Sequence, residues 1–203
     1  MKKVFLGLAL IAMAASVVAN VSFAGEEGEQ ALSPEEAYMK QYMEAIAPVS
    51  HHDAFAKRAG EWVAVIKQYP GPGMEPAVSE GKARFEVVLG GRFLTQQMEG
   101  SIMGMPFVGM GISGFDKTKD KHTLYWVDSM GTQAVYSEGA CADHCMKEEY
   151  EFVILDPLSG AESKFKTVTV IKSDDEHVFE WYTVQANGDL FKSMEIVYTR
   201  SKG

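Results

Sequence analysis

The chain is short of cysteine, of positive charge and of long apolar runs, and each shortage removes a class of function. Cys141 and Cys145 are the only cysteines in 203 residues. Neither lies near the N-terminal apolar segment, where a lipoprotein anchor would need one. Lysine and arginine number 19 against 28 acidic residues, a formal charge of −9. Such a surface repels nucleic acid and anionic lipid headgroups, so neither is an expected partner. The apolar stretch Val4 to Val18 is too short and too rich in alanine to span a bilayer comfortably. Catalytic motifs are missing too. Asp128-Ser129 has no histidine at a spacing that would complete a hydrolytic triad. Gly109, Gly111 and Gly114 sit in an alternating run with no helix after it, which rules out a phosphate-binding loop.

What the N-terminus does contain is a basic head, Met1-Lys2-Lys3, the apolar stretch, and small residues at Ser22 and Ala24. These predict a secretory signal peptide over 1–24, cleaved before Gly25, and hence a periplasmic or secreted protein with no stable membrane insertion after cleavage. Without Lys2 and Lys3, 17 basic residues face 28 acidic ones, a formal charge of −11 that keeps an exported protein soluble. Residues 25–32 begin with Gly-Glu-Glu-Gly-Glu-Gln and read as a disordered acidic tail.

Two helical segments are predicted over 33–59. Ser33-Pro34-Glu35-Glu36 is a capping box with proline at the first helical position. The helix that follows carries Tyr38, Met39, Tyr42, Met43 and Ile46 as one apolar stripe, fit to lie on another element, until Pro48 stops it. Ser50-His51-His52-Asp53 repeats the capping signature and starts a second, short helix ending at Gly60.

From Trp62 onward the apolar period changes from helical to alternating. Strands are predicted near 61–69, 78–89, 91–99, 105–115, 121–128, 132–139, 147–155, 162–172, 176–185 and 189–200. Gly90-Gly91 and Asn187-Gly188 read as two-residue hairpin loops. The first sets Leu89 opposite Arg92, Val87 opposite Leu94 and Phe85 opposite Gln96, with Met98 on the same inward face. The second sets Thr183 opposite Lys192, Trp181 opposite Met194, Phe179 opposite Ile196 and His177 opposite Tyr198. An antiparallel series this long leaves two exposed edges unless it closes. The predicted fold is therefore all-β, an up-and-down closed barrel of about ten antiparallel strands over 60–203, with short N-terminal helices outside it or across one end.

The residues that carry this pattern resemble a known superfamily. Gly60-x-Trp62 on the first strand and Arg200 on the last are similar to the calycins, which include lipocalins and fatty-acid-binding proteins. The resemblance implies that Trp62 closes the barrel floor and Arg200 stacks across it. A second resemblance rests on Gly90-Gly91-Arg92-Phe93-Leu94, Gly109-x-Gly111-x-x-Gly114-Phe115-Asp116, Trp126-x-Asp128-Ser129-x-Gly131-Thr132 and Met194-Glu195-Ile196-x-Tyr198-Thr199-Arg200. Together these resemble the bacterial DUF1579 family over about residues 51–200, which implies a lipocalin-like barrel and supplies no chemistry. Cys141-Ala142-Asp143-His144-Cys145 departs from that pattern.

The expected function is binding of a small apolar or amphipathic molecule, with an acidic one a possible case, inside the barrel. The candidate wall is Arg92, Leu94, Met98, Trp126, His177, Trp181 and Tyr198. Arg92 is an expensive cation on an apolar face and needs either an interior carboxylate such as Asp128 or a ligand's acidic group. The alternatives are an enzyme acting on a small molecule in the barrel, a haem- or metal-binding barrel, and a packed structural barrel. Cys141 and Cys145 read as a disulfide in an oxidising compartment. The competing reading is a copper or zinc site of Cys141, His144 and Cys145 with a fourth ligand from His51 or His52. No cofactor is expected; haem on His122 or His177 is the other alternative. Met98, Met103, Met105 and Met110 read as adaptable packing around a cavity or its entrance, rather than as a thioether copper site.

Overall fold

The computed structural model describes residues 32–142 and 145–202. The expected signal peptide and all but the end of the expected acidic tail lie outside the described residues, as does His144. Two compact units divide at Tyr42/Met43. The described part of the first is the start of helix α1 (Pro34–Ile46), which crosses the boundary. Its capping box forms: the Ser33 backbone N–H and hydroxyl donate to Glu36 Oε2 at 2.9 and 2.8 Å, and the Glu36 N–H reaches back to Ser33 Oγ at 3.3 Å. None of the residues of α1 is buried, so the apolar stripe read from the sequence stays exposed. Among the described residues no helix is long and apolar enough to cross a membrane.

The second unit is the barrel. A 3₁₀ turn (Ser50–His52) and helix α2 (Asp53–Arg58) lead into ten strands. These are β1 (Gly60–Gln68), β2 (Ala77–Val88), β3 (Phe93–Ile102), β4 (Met105–Asp116) and β5 (Lys121–Asp128), then β6 (Val135–Ala142), β7 (Lys147–Leu155), β8 (Glu162–Ser173), β9 (Glu176–Val184) and β10 (Leu190–Arg200). Each strand pairs with its neighbours in sequence, and β1 pairs with β10 to close the ring. The predicted cap at Ser50 is replaced by a bond from the Val49 N–H to His52 Nδ1 at 3.0 Å. The cap thus moves one residue back, to Val49, and the imidazole accepts the cap residue's own N–H.

Both inferred registers survive where they matter, with different turns. Phe85 opposes Gln96 and Val87 opposes Leu94, as the sequence predicts. The strands nevertheless stop at Val88 and Phe93, because Leu89, Gly90 and Gly91 all take positive φ, at 52°, 66° and 88°. The loop is four residues long and Arg92 belongs to it. At the other hairpin the pairs Trp181–Met194, Phe179–Ile196 and His177–Tyr198 form as expected. Thr183 faces Phe191, not Lys192, because the connection is longer and a bulge at Ser193 restores the register. The inward face is then consistent along β1, where Trp62, Ala64 and Ile66 are buried and Val63 is exposed.

Closure rests on seven residue pairs from Trp62–Arg200 to Gln68–Met194. The Arg200 guanidinium carbon lies 4.2 Å from the centroid of Trp62. Its nitrogens donate to the carbonyls of Ala59, Asp174 and Lys57 at 2.8, 2.8 and 2.7 Å. A Cβ on Gly60 would sit 2.8 Å from Arg200 Nη1, and Gly60 holds φ at +123°. Glycine is required there twice over. Arg200→Ala is predicted to keep the β-sheet circular dichroism and lose about 2–3 kcal/mol in urea denaturation, from the lost cation–π contact and charged hydrogen bonds. An unchanged midpoint would assign closure to backbone pairing alone.

Candidate ligand cavity and a cysteine–histidine cluster

Ten strands curve into a ring wide enough to leave space between their inward side chains. The space is a cavity of about 340 Å³. Its walls are mainly apolar. Phe152 and Trp181 of the lining form one aromatic group with Phe165 behind them, ring centroids 5.1–5.9 Å apart. Trp126 lies over the inner face of β4, where a Cβ on Gly111 would come within 2.8 Å of its ring. Gly109 and Gly111 of β4 thus seat an indole. Trp126 Nε1 donates to Asp128 Oδ2 at 2.9 Å, and Oδ1 accepts the Met130 N–H at 2.8 Å. Asp128 is thereby committed to its own turn.

Of the seven wall residues proposed from sequence, Met98, Trp126, His177, Trp181 and Tyr198 line this cavity. Leu94 is buried in the apolar core beside it. Arg92 is elsewhere. Its guanidinium donates to the carbonyl of Ile46 at 3.1 Å and to those of Leu89 and Gly90 at 3.4 Å. The wide glycine turn carries it past the end of the wall, where backbone carbonyls satisfy it. It pairs neither with Asp128 nor with anything in the cavity. Of the four methionines singled out, Met98 is buried while Met103, Met105 and Met110 are exposed.

The buried ion pair of the cavity was missed. Arg58 from α2 and Glu148 from β7 are both buried and form an ion pair at 3.0 Å between Nη1 and Oε2. Arg58 also lies over the Phe85 ring, 5.0 Å from its centroid. Glu148 was findable: it shares the inward period of Tyr150 and Phe152. Near this pair sit buried polar atoms that have no hydrogen-bond partner among the described residues: the Tyr150 hydroxyl, the Thr167 hydroxyl and both His177 nitrogens. Burial, then the nearby Glu148 charge, pushes the Tyr150 hydroxyl well above the usual phenol range. Tyr198 is pushed up to about 12 by burial, and accepts from Gln96 Nε2 at 3.3 Å. His177, opposite Tyr198 as the register predicts, stacks on its ring with centroids 4.4 Å apart.

A second group lies at the helix-covered end. The sulfurs of Cys141 and Cys145 are within disulfide distance. His51 from the 3₁₀ turn and His122 from β5 converge on them, with Nδ1 of His51 3.3 Å from Nε2 of His122. His51 Nδ1 is 3.4 Å from Cys141 Sγ and 3.3 Å from Cys145 Sγ. Cys145 Sγ is 3.3 Å from His122 Nε2. The sequence anticipated the cysteines with His51; the fold adds His122 and turns His52 away toward Val49.

Burial, reinforced by the charges of Arg58 and Arg200, pushes the His177 imidazole down to about 2, so the folded protein holds it neutral. The unfolded chain protonates it near its ordinary value of about 6.5. Its contribution to stability is complete above that value and is lost as pH falls from about 6.5 toward 2, at about 1.4 kcal/mol per pH unit. Between pH 7 and pH 5 the parent should therefore lose about 2 kcal/mol more than His177→Phe in urea titrations. Parallel losses in the two proteins would show that His177 titrates normally in the fold.

No curated protein matches the chain. Among solved structures, the S-type phycobiliprotein lyase CPES from Guillardia theta aligns with a TM-score of 0.52 and 9% identity, over 80% of this chain and 97% of that one. Rv2717c from M. tuberculosis aligns with a TM-score of 0.51 and 17% identity, over 77% of this chain and 100% of that one. At such identities the likeness is one of fold. Residues 47–200 match the family described as "Protein of unknown function (DUF1579)", a span that takes in the 3₁₀ turn, α2 and all ten strands. The chain belongs to the DUF1579 family.

Proposed function

We propose that this is an exported barrel that binds one small, uncharged amphipathic molecule in its interior. The observation that carries the reading is the cavity of about 340 Å³ with apolar and aromatic walls. Both its size and its lining suit a small organic ligand. Its orphan polar atoms indicate what the ligand's polar end must do. A neutral His177, a protonated Tyr150 and the Thr167 hydroxyl offer donors and acceptors to a hydroxyl or carbonyl group. Each such buried group is costly while unmade, so a ligand that completes it gains specificity.

Charge argues against an acid. Arg58 is the arginine of the lining, and Glu148 already neutralises it. With Arg92 outside the cavity, a bound carboxylate would meet no free cation among the described lining residues and would lose its hydration. The exported location rests on the N-terminal segment and on a cysteine pair at bonding distance, which suits an oxidising compartment. Intact mass of the protein recovered from its own host should begin at Gly25.

Fluorescence of Trp126 and Trp181, both in the lining, reports occupancy. A long-chain primary alcohol should bind at least about tenfold more tightly than the carboxylate of equal length, a difference of about 1.4 kcal/mol. Met194→Trp, which fills space opposite Trp181, should abolish the response and leave the circular dichroism unchanged. Native mass spectrometry of the host-purified protein should show a retained small molecule. Preference for the carboxylate would overturn the uncharged ligand, and a bare protein that responds to no apolar probe would overturn the binding function itself.

A further inference from the structure

The cysteine–histidine cluster is separate from the ligand cavity and has its own chemistry. We propose that, with both cysteines as thiols, His51 Nδ1, His122 Nε2, Cys141 Sγ and Cys145 Sγ bind one zinc ion in tetrahedral coordination.

The four donor atoms come from four places in the chain: the 3₁₀ turn, β5, β6 and the turn before β7. All lie within 4.8 Å of one another. Zinc takes imidazole nitrogen at about 2.0–2.1 Å and thiolate sulfur at about 2.3 Å. A tetrahedron of those bonds has a nitrogen–nitrogen edge of about 3.3 Å and nitrogen–sulfur edges of about 3.6 Å. The observed His51–His122 edge is 3.3 Å. The three nitrogen–sulfur edges within hydrogen-bonding reach are 3.3–3.4 Å. The two sulfurs stand at disulfide distance, and as thiolates on the metal they would part to an edge of about 3.8 Å. Two thiolates and two imidazoles select zinc over ions that prefer oxygen or planar coordination. Binding balances as two thiols and one Zn²⁺ giving a dithiolate complex and two protons.

An independent observation lies one bond further out. His122 Nδ1 and Glu148 Oε1 are buried atoms with no hydrogen-bond partner among the described residues, and they face each other at 3.6 Å. A metal on Nε2 fixes the His122 proton on Nδ1, where the carboxylate can accept it. This is the carboxylate–histidine–metal arrangement that orients many zinc ligands. The other oxygen of Glu148 is already held by Arg58. On the opposite side His51 is oriented by stacking on Phe115, with centroids 4.0 Å apart and planes 11° from parallel. Cys145 is buried among Ala54, Ile171 and Met146, which keeps water from the metal. A closed four-ligand site of this kind is structural, and it would pin the 3₁₀ turn to β5, β6 and the turn before β7.

The full chain, reduced with a phosphine under exclusion of oxygen, is titrated first with Co²⁺ and then with Zn²⁺. One cobalt per chain should bind with the intense visible ligand-field bands of a tetrahedral ion and a near-ultraviolet thiolate charge-transfer band, and zinc should displace it. X-ray absorption at the zinc edge should show two sulfur and two nitrogen neighbours. Cys145→Ser and His122→Gln should each weaken zinc binding more than about 100-fold, and Glu148→Gln about 10–100-fold. His177→Phe, in the cavity, should leave the affinity unchanged. A reduced parent that takes up no tetrahedral cobalt, or a zinc shell without sulfur, overturns the site. Those readings come from the parent, so a variant that fails to fold cannot rescue the proposal. Ligand binding in the cavity is scored separately, by tryptophan fluorescence.

Discussion

Everything else in this molecule depends on β1 meeting β10. Until those strands pair, the sheet has two open edges and no inside, and Trp62, Phe85, Leu94 and Ile196 have no common volume to share. Backbone pairing over seven residues closes the ring, and Arg200 fastens it at one end. The arginine acts as a hub: its face lies on the first strand's tryptophan while its nitrogens hold carbonyls before β1 and before β9. One side chain thus joins the entry to the barrel, its last strand and the β8–β9 turn. This explains why the closing residue is arginine; a lysine lacks the fork to reach three carbonyls while stacking.

Closure creates a second constraint, because the end reached by α2 must bury polar groups. Trp62 Nε1 finds the Arg58 carbonyl at 2.8 Å, and the Arg58 guanidinium finds Glu148. A buried pair of this sort gives little net stability, but losing either partner strands a charge in the core. Glu148 therefore faces three ways: toward Arg58, toward the cavity and toward His122. Loading the cysteine–histidine cluster would change how firmly Glu148 is held, and with it the polar end of the cavity. The two sites are distinct in chemistry and adjacent through one carboxylate.

Local rules made the barrel legible. Alternation from Trp62, turn residues at Gly90-Gly91 and Asn187-Gly188, and the need to remove sheet edges were enough to reach ten strands and the core pairings. Their failures were local as well. Three successive positive φ angles lengthened the first loop and displaced Arg92, and a bulge at Ser193 absorbed a one-residue error that left Trp181 and His177 correctly inward. Strand period says which side chains turn inward; it does not say where a wall ends. Arg92 followed the period and still fell beyond the rim, which is why the expected cation was absent from the cavity and the actual one, Arg58, came from the helical cap.

The cysteine cluster shows the opposite limit. A C-x3-C segment containing a histidine invites a local reading, with ligands drawn from those five residues. The fold instead brings His51 from before the barrel and His122 from β5, 90 and 23 residues from the cysteines they approach. Such convergence cannot be read from spacing, because it depends on ring closure placing the start of β5, the end of β6 and the start of β7 beneath the same helical turn. The orphaned Nδ1 of His122 and Oε1 of Glu148 carry the argument further than proximity does. A buried imidazole nitrogen and a buried carboxylate oxygen held just beyond bonding distance cost free energy while they stay unpaired. A fold that keeps both, and aims the other nitrogen of the same imidazole at two sulfurs and a second imidazole, is arranged for something to occupy the space between them.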